Sequence, residues 1–104
     1  MRKSHYHAVI EAISDLQARG FFLDFSVIGN RLLCAQEKRY LEPEEFEVLE
    51  IYTFYIGGPI CEEAILYAIV SLDEPLKGIL LRSGHRAKTM VPEILSKKIR
   101  KFWS

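Results

Sequence analysis

The chain has 104 residues, 49% of them hydrophobic and 27% charged, and its formal net charge is zero. This is the composition of one folded domain with a thin core, not of a disordered or fibrous chain. No apolar run reaches the roughly 18 residues that cross a bilayer, and the neutral balance argues against a dedicated polyanion binder.

The N-terminal stretch MRKSHYHAVIEAISDLQ mixes apolar and polar residues. It lacks the continuous apolar core and small-residue cleavage site of a signal peptide, so a cytoplasmic protein is expected. Cys34 and Cys61 form no CxxC pair and are expected as free thiols. Residues 5–19 are predicted helical, because Val9, Ile10, Ile13 and Leu16 recur at spacings of three and four. Ser4 is the expected N-cap and Gly20 the stop.

Phe21, Leu23, Phe25 and Val27 then alternate with Phe22, Asp24, Ser26 and Ile28, the period of a strand. Gly29-Asn30 links this run to RLLCAQ as a two-residue hairpin. Pro43 suits the first position of a short helical turn, PEEF, where Glu44 and Glu45 meet the positive end of the dipole. A strand is predicted from about Glu47 to Ile56, and Gly57-Gly58-Pro59 breaks it. Residues 64–72 are uncharged and read as a strand buried on both faces. Asp73 to Gly78 is a turn, and GILLRS is the final strand. Pro92 opens a helix with Val91, Leu95, Ile99 and Phe102 along one face.

The expected fold is therefore α+β: an antiparallel meander sheet of about five strands, flanked by an N-terminal and a C-terminal helix. Residues 64–72 offer Ile65, Tyr67 and Ile69 on one face and Leu66, Ala68, Val70 and Leu72 on the other. The helices take one face each, or share a face and leave the other to a second copy. A homodimer is the expectation.

Charge is unevenly spread. Glu37 to Glu63 holds eight acidic and two basic residues, whereas Arg82 to Ser104 holds seven basic and one acidic. Glu42, Glu44, Glu45, Glu47 and Glu50 could supply an acid-base pair or a cation site. Glu44 and Glu45 point apart, however, and Glu47 and Glu50 have opposite strand parity, so a solvated rim is expected. Tyr52, Phe54 and Tyr55 sit among carboxylates, which suits core packing better than a base-stacking platform. His5 and His7 do not converge on a helix, and no metal site is expected. No cofactor motif is found.

Three candidate surfaces remain. Ser83-Gly84-His85-Arg86, with Arg82 and Lys88, could hold a phosphate through backbone N–H groups and cations; the ligand-binding candidates are Arg82, His85, Arg86 and Lys88. Lys97, Lys98, Arg100 and Lys101 on the C-terminal helix could contact nucleic-acid phosphates or an anionic membrane surface. Those lysines could equally be solvated, or meet the acidic segment within the chain or across a dimer.

LQARGFFLDF, Cys34, PEEFEVLEIYTF, ILYAIVSLDEPLKGIL and Gly84 together resemble a family of small Bacteroidetes proteins of about this length. The resemblance covers residues 8–95 by order and spacing. Members often carry the name phosphoribosylpyrophosphate synthetase, which implies a pentose phosphate as a ligand class to consider. The residues themselves lead first to a non-catalytic, homodimeric binding protein, then to an anion binder at Arg82–Lys88, and third to a nucleic-acid binder.

Overall fold

The computed structural model describes residues 8–56, 62–73, 76–84 and 91–100. Helix α1 spans Val9–Ala18. It stops at Gly20, whose φ of 102° lies in the left-handed region where glycine is at home. The expected cap Ser4 lies outside the described residues. Strand β1 is Leu23–Ile28 and β2 is Arg31–Cys34, paired antiparallel with Ile28 opposite Arg31. The Gly29-Asn30 turn between them takes positive φ at Gly29, which suits the tight hairpin predicted.

A short β3, Arg39–Leu41, then pairs with β2. A single 3-10 turn, Pro43–Glu45, follows and is closed by a capping box. The Glu42 N–H donates to Glu45 Oε1 at 2.8 Å, and the Glu42 carboxylate accepts from the Glu45 N–H. Strand β4 is Phe46–Ile56, β5 is Glu62–Ser71, β6 is Lys77–Gly84, and helix α2 is Glu93–Ile99.

These strands form one six-stranded sheet in the order β3-β2-β1-β6-β5-β4. The expected five-stranded antiparallel meander is corrected in two ways. First, β3 is an additional strand, too short and too polar to show a period. Second, β1 and β6 run parallel, with Leu23 opposite Gly78 and Asp24 opposite Ile79. A parallel pair needs a long crossover, and here four consecutive strand segments supply it.

The sheet cannot be flat. From Leu41 at one edge to Phe46 at the other, the chain takes five residue steps, reaching at most about 18 Å. Six flat strands would hold those edges about 24 Å apart. The β1–β2–β3 half therefore folds over one face of β4–β5–β6, hinged where β1 meets β6. Gly78 sits at that hinge. A Cβ there would run into the Leu23 carbonyl and stand 2.7 Å from Phe25 Cε2, so the close approach requires glycine.

Two apolar clusters result. The inner one joins Phe25, Leu32, Cys34 and Leu41 of the folded-over half to Phe46, Val48, Ile51, Ile65, Tyr67, Ile69 and Leu80. Helix α2 packs into it with Ile94, Leu95 and Ile99. The outer cluster lies on the opposite face, where Ala12 and Leu16 of α1 meet Tyr52, Phe54, Ala64, Leu66, Ala68 and Ile79. The two helices thus cover opposite faces of β5. The expected face of α1 holds for Leu16, which is buried, and for Val9 and Ile13, which pack against the outer cluster, but Ile10 is 79% exposed and Ala12 is buried in its place.

Candidate functional site

The acidic segment is largely engaged with cations. Arg31 Nε lies 3.8 Å from Glu42 and Arg39 Nη2 lies 4.0 Å from Glu45, tying the turn before β4 back to β2 and β3. Lys98 Nζ on α2 lies 4.0 Å from Glu47 and 5.1 Å from the centre of the Phe46 ring. The basic helix and the acidic segment therefore meet within the chain. Between them lies a cleft of about 600 Å³, lined by Pro43, Glu44, Glu47, Ile94, Lys97 and Lys98 among others. It presents both signs of charge beside apolar walls.

The parity argument for Glu47 and Glu50 fails at a bulge. Between Val48 and Glu50 the register shifts, so Glu47 lies opposite Val70 and Glu50 opposite Ala68. Val70 and Ala68 share a face of β5, and so do the two glutamates. The glutamates are nevertheless divided by their partners, since Glu47 turns to Lys98 and Glu50 to Arg19.

Glu50 belongs to a clamp. Both terminal nitrogens of Arg19, at the end of α1, donate to its two carboxylate oxygens, and the Tyr52 hydroxyl donates to it as well. The Glu50 side chain is 13% exposed. The hydrogen bond to Glu50 is the main reason the Arg19 guanidinium holds its proton more tightly than usual. Beside it, Lys77 Nζ donates to the Arg19 carbonyl at 3.4 Å and sits 4.4 Å from the centre of the Phe21 ring. This arrangement fastens the C-terminal end of α1 to β4 and β6. Sequence offered no signal for it, because Arg19 and Glu50 are 31 positions apart.

Arg82 lies on β6 opposite Ile65, on the inner side of the sheet. Its proposed companions His85, Arg86 and Lys88 lie outside the described residues. Arg82 instead stands near Tyr67, whose hydroxyl is fully buried with no hydrogen-bond partner among the described residues. Burial pushes the Tyr67 hydroxyl above its ordinary pKa, and the Arg82 charge opposes that rise.

The nucleic-acid candidates are dispersed. Lys97 stands 3.7 Å from Glu93 one turn earlier, Lys98 faces Glu47, and Arg100 is exposed at the end of α2. Lys101 lies outside the described residues.

Among the described residues, the outer edge of β4 has no neighbouring strand. This is the longest strand among the described residues, eleven residues, and its last six, Ile51 to Ile56, carry no charge. Tyr55 is 63% exposed there, and Leu49 at the bulge is 47% exposed. No helix among the described residues is long and apolar enough to cross a membrane. The fold and these surfaces define a small α+β domain with a curled mixed sheet and one helix against each side. No family model, characterised protein or solved structure matches the chain.

Proposed function

We propose that the protein is a non-catalytic binding protein that works as a homodimer. The observation that carries this reading is the use made of its charged groups. Glu42, Glu45, Glu47 and Glu50, the best candidates for acid-base chemistry, are spent in ion pairs that hold the 3-10 turn, α2 and α1 in place. General acid-base work needs a pair of carboxylates that converge on one substrate, and these four are divided among different cations. Large apolar side chains are left on the surface instead, among them Phe22, Tyr55 and Leu81. Light scattering coupled to size exclusion tests the reading. It predicts twice the mass of the 12.0 kDa chain at micromolar concentration, and a clean monomer overturns the dimer.

A second reading is favoured by one specific observation, the buried Tyr67 hydroxyl beside Arg82. An anion reaching Arg82 would give that hydroxyl an acceptor. The family resemblance makes a pentose phosphate the first ligand to try. A thermal shift with ribose 5-phosphate that disappears in Tyr67→Phe supports this reading; no shift in the wild type removes it.

A further inference from the structure

Between Glu42 and Glu50 the acidic segment holds five carboxylates, and four of them meet a cation within the chain. Glu42 faces Arg31, Glu45 faces Arg39, Glu47 faces Lys98 and Glu50 faces Arg19. Glu44 has no such partner among the described residues. It is exposed, and it lines the cleft between the 3-10 turn and α2. Its backbone is fixed from both sides, because Pro43 precedes it and the capping box between Glu42 and Glu45 closes around it.

The charges around the cleft leave one sign over. Three carboxylates line it, Glu44, Glu47 and Glu93, against the two ammonium groups of Lys97 and Lys98. Lys97 lies 3.7 Å from Glu93 and Lys98 lies 4.0 Å from Glu47, so each ammonium already has a carboxylate beside it. Lys98 also sits over the Phe46 ring, and its side chain is 18% exposed, which anchors it at Glu47. An anion entering here would face three carboxylates. A cation meets one that no neighbour neutralises, in a concave site whose low-dielectric walls concentrate the field. Pro43 and Ile94 add apolar surface, and a volume of about 600 Å³ falls within the range of small-molecule sites. We propose that this cleft binds a small organic cation, an aliphatic ammonium whose head pairs with Glu44 and whose chain lies along Pro43 and Ile94. The site is complete within one chain, and neither Tyr67 nor Arg82 lines it, so it goes beyond both readings above and depends on neither.

The test is a titration followed through backbone amide shifts. Hexylamine, protonated at neutral pH, is the probe, and hexanoate has a chain of the same length with the opposite charge. Hexylamine should shift the amides of Asn30, Glu44, Glu47 and Lys97 and saturate in the millimolar range, as one exposed ion pair and a short apolar chain would give. Hexanoate should leave them in place. Glu44 is exposed, so Glu44→Gln keeps the fold and removes only the charge. It should weaken hexylamine binding about three- to fivefold. Glu37→Gln removes the same charge at an exposed position outside the cleft and should leave binding unchanged. Shifts that grow without saturating, that hexanoate reproduces, or that Glu44→Gln weakens no more than Glu37→Gln does overturn the assignment.

Discussion

Replacing Tyr67 by Phe removes one oxygen from the interior and should stabilise the protein. Tyr67 is fully buried in the inner cluster, which also holds side chains of β4, β6 and α2. Phe keeps that ring. What is lost is a hydroxyl that left water and found no partner among the described residues. Leaving such a group unsatisfied costs about 1–3 kcal/mol, and replacement by an apolar group of the same shape can recover it. The nearby Arg82 offsets part of that cost, so a gain of about 1 kcal/mol is expected. For a domain of this size that raises Tm by about 4–8 °C.

The pH dependence gives an independent check. The folded-state pKa of Tyr67 lies above the ordinary value of 10.0. As pH rises past 10 the unfolded chain releases this proton while the folded chain retains it. The contribution is therefore intact below that pH and is lost above it. Urea unfolding of both forms, at neutral pH and above pH 10, should show the variant more stable throughout and falling less steeply in alkali. A variant destabilised by ~1 kcal/mol or more at neutral pH refutes the reasoning, because the hydroxyl would then be making a net favourable hydrogen bond.

Three further outcomes are expected. Arg19→Ala and Glu50→Gln should each cost about 1–3 kcal/mol in urea unfolding, and the double variant clearly less than the sum, since both break the same charge-assisted clamp; additive losses would mean that no clamp exists. Gly78→Ala should destabilise by about 2 kcal/mol or more, because its Cβ meets the Leu23 carbonyl at the β1–β6 hinge; a neutral result would place the hinge elsewhere. In a Cys61→Ser background, the buried Cys34 should react with a thiol reagent only as fast as the domain opens. Rapid labelling under native conditions would contradict the burial of β2.

Much of the fold could be read from periodicity. The alternation around Phe25, the Gly29-Asn30 turn, Pro43 opening a helical turn and the uncharged run that makes up most of β5 each have a local cause, and each appears where expected. The missing parts have non-local causes. β3 exists because β2 offers it an edge, and three residues show no period. The parallel β1–β6 contact depends on a close approach at Gly78, and a lone glycine in a strand run does not name its neighbour. Ile10 matched the helical period as well as Ala12 did, but α1 turns Ala12 toward the sheet and Ile10 away from it.

The candidate site was less legible. Charge asymmetry pointed to α2 and the acidic segment as neighbours within the chain or across a dimer, and within the chain Lys98 meets Glu47. Parity misassigned Glu47 and Glu50, because one bulge residue, Leu49, resets the alternation and leaves no mark in the sequence. Arg82 kept its place on an inward-facing strand position, yet its relation to Tyr67 arises from strand register.

The central claim is that the sheet curls over itself yet stays open, with β4 ending it among the described residues. Cross-strand NOEs to the β4 backbone test it directly. In dilute solution residues 51–56 should show contacts to β5 on one side and to no other strand of the same chain. NOEs from this half of β4 to β3 would close the sheet into a barrel and contradict the account.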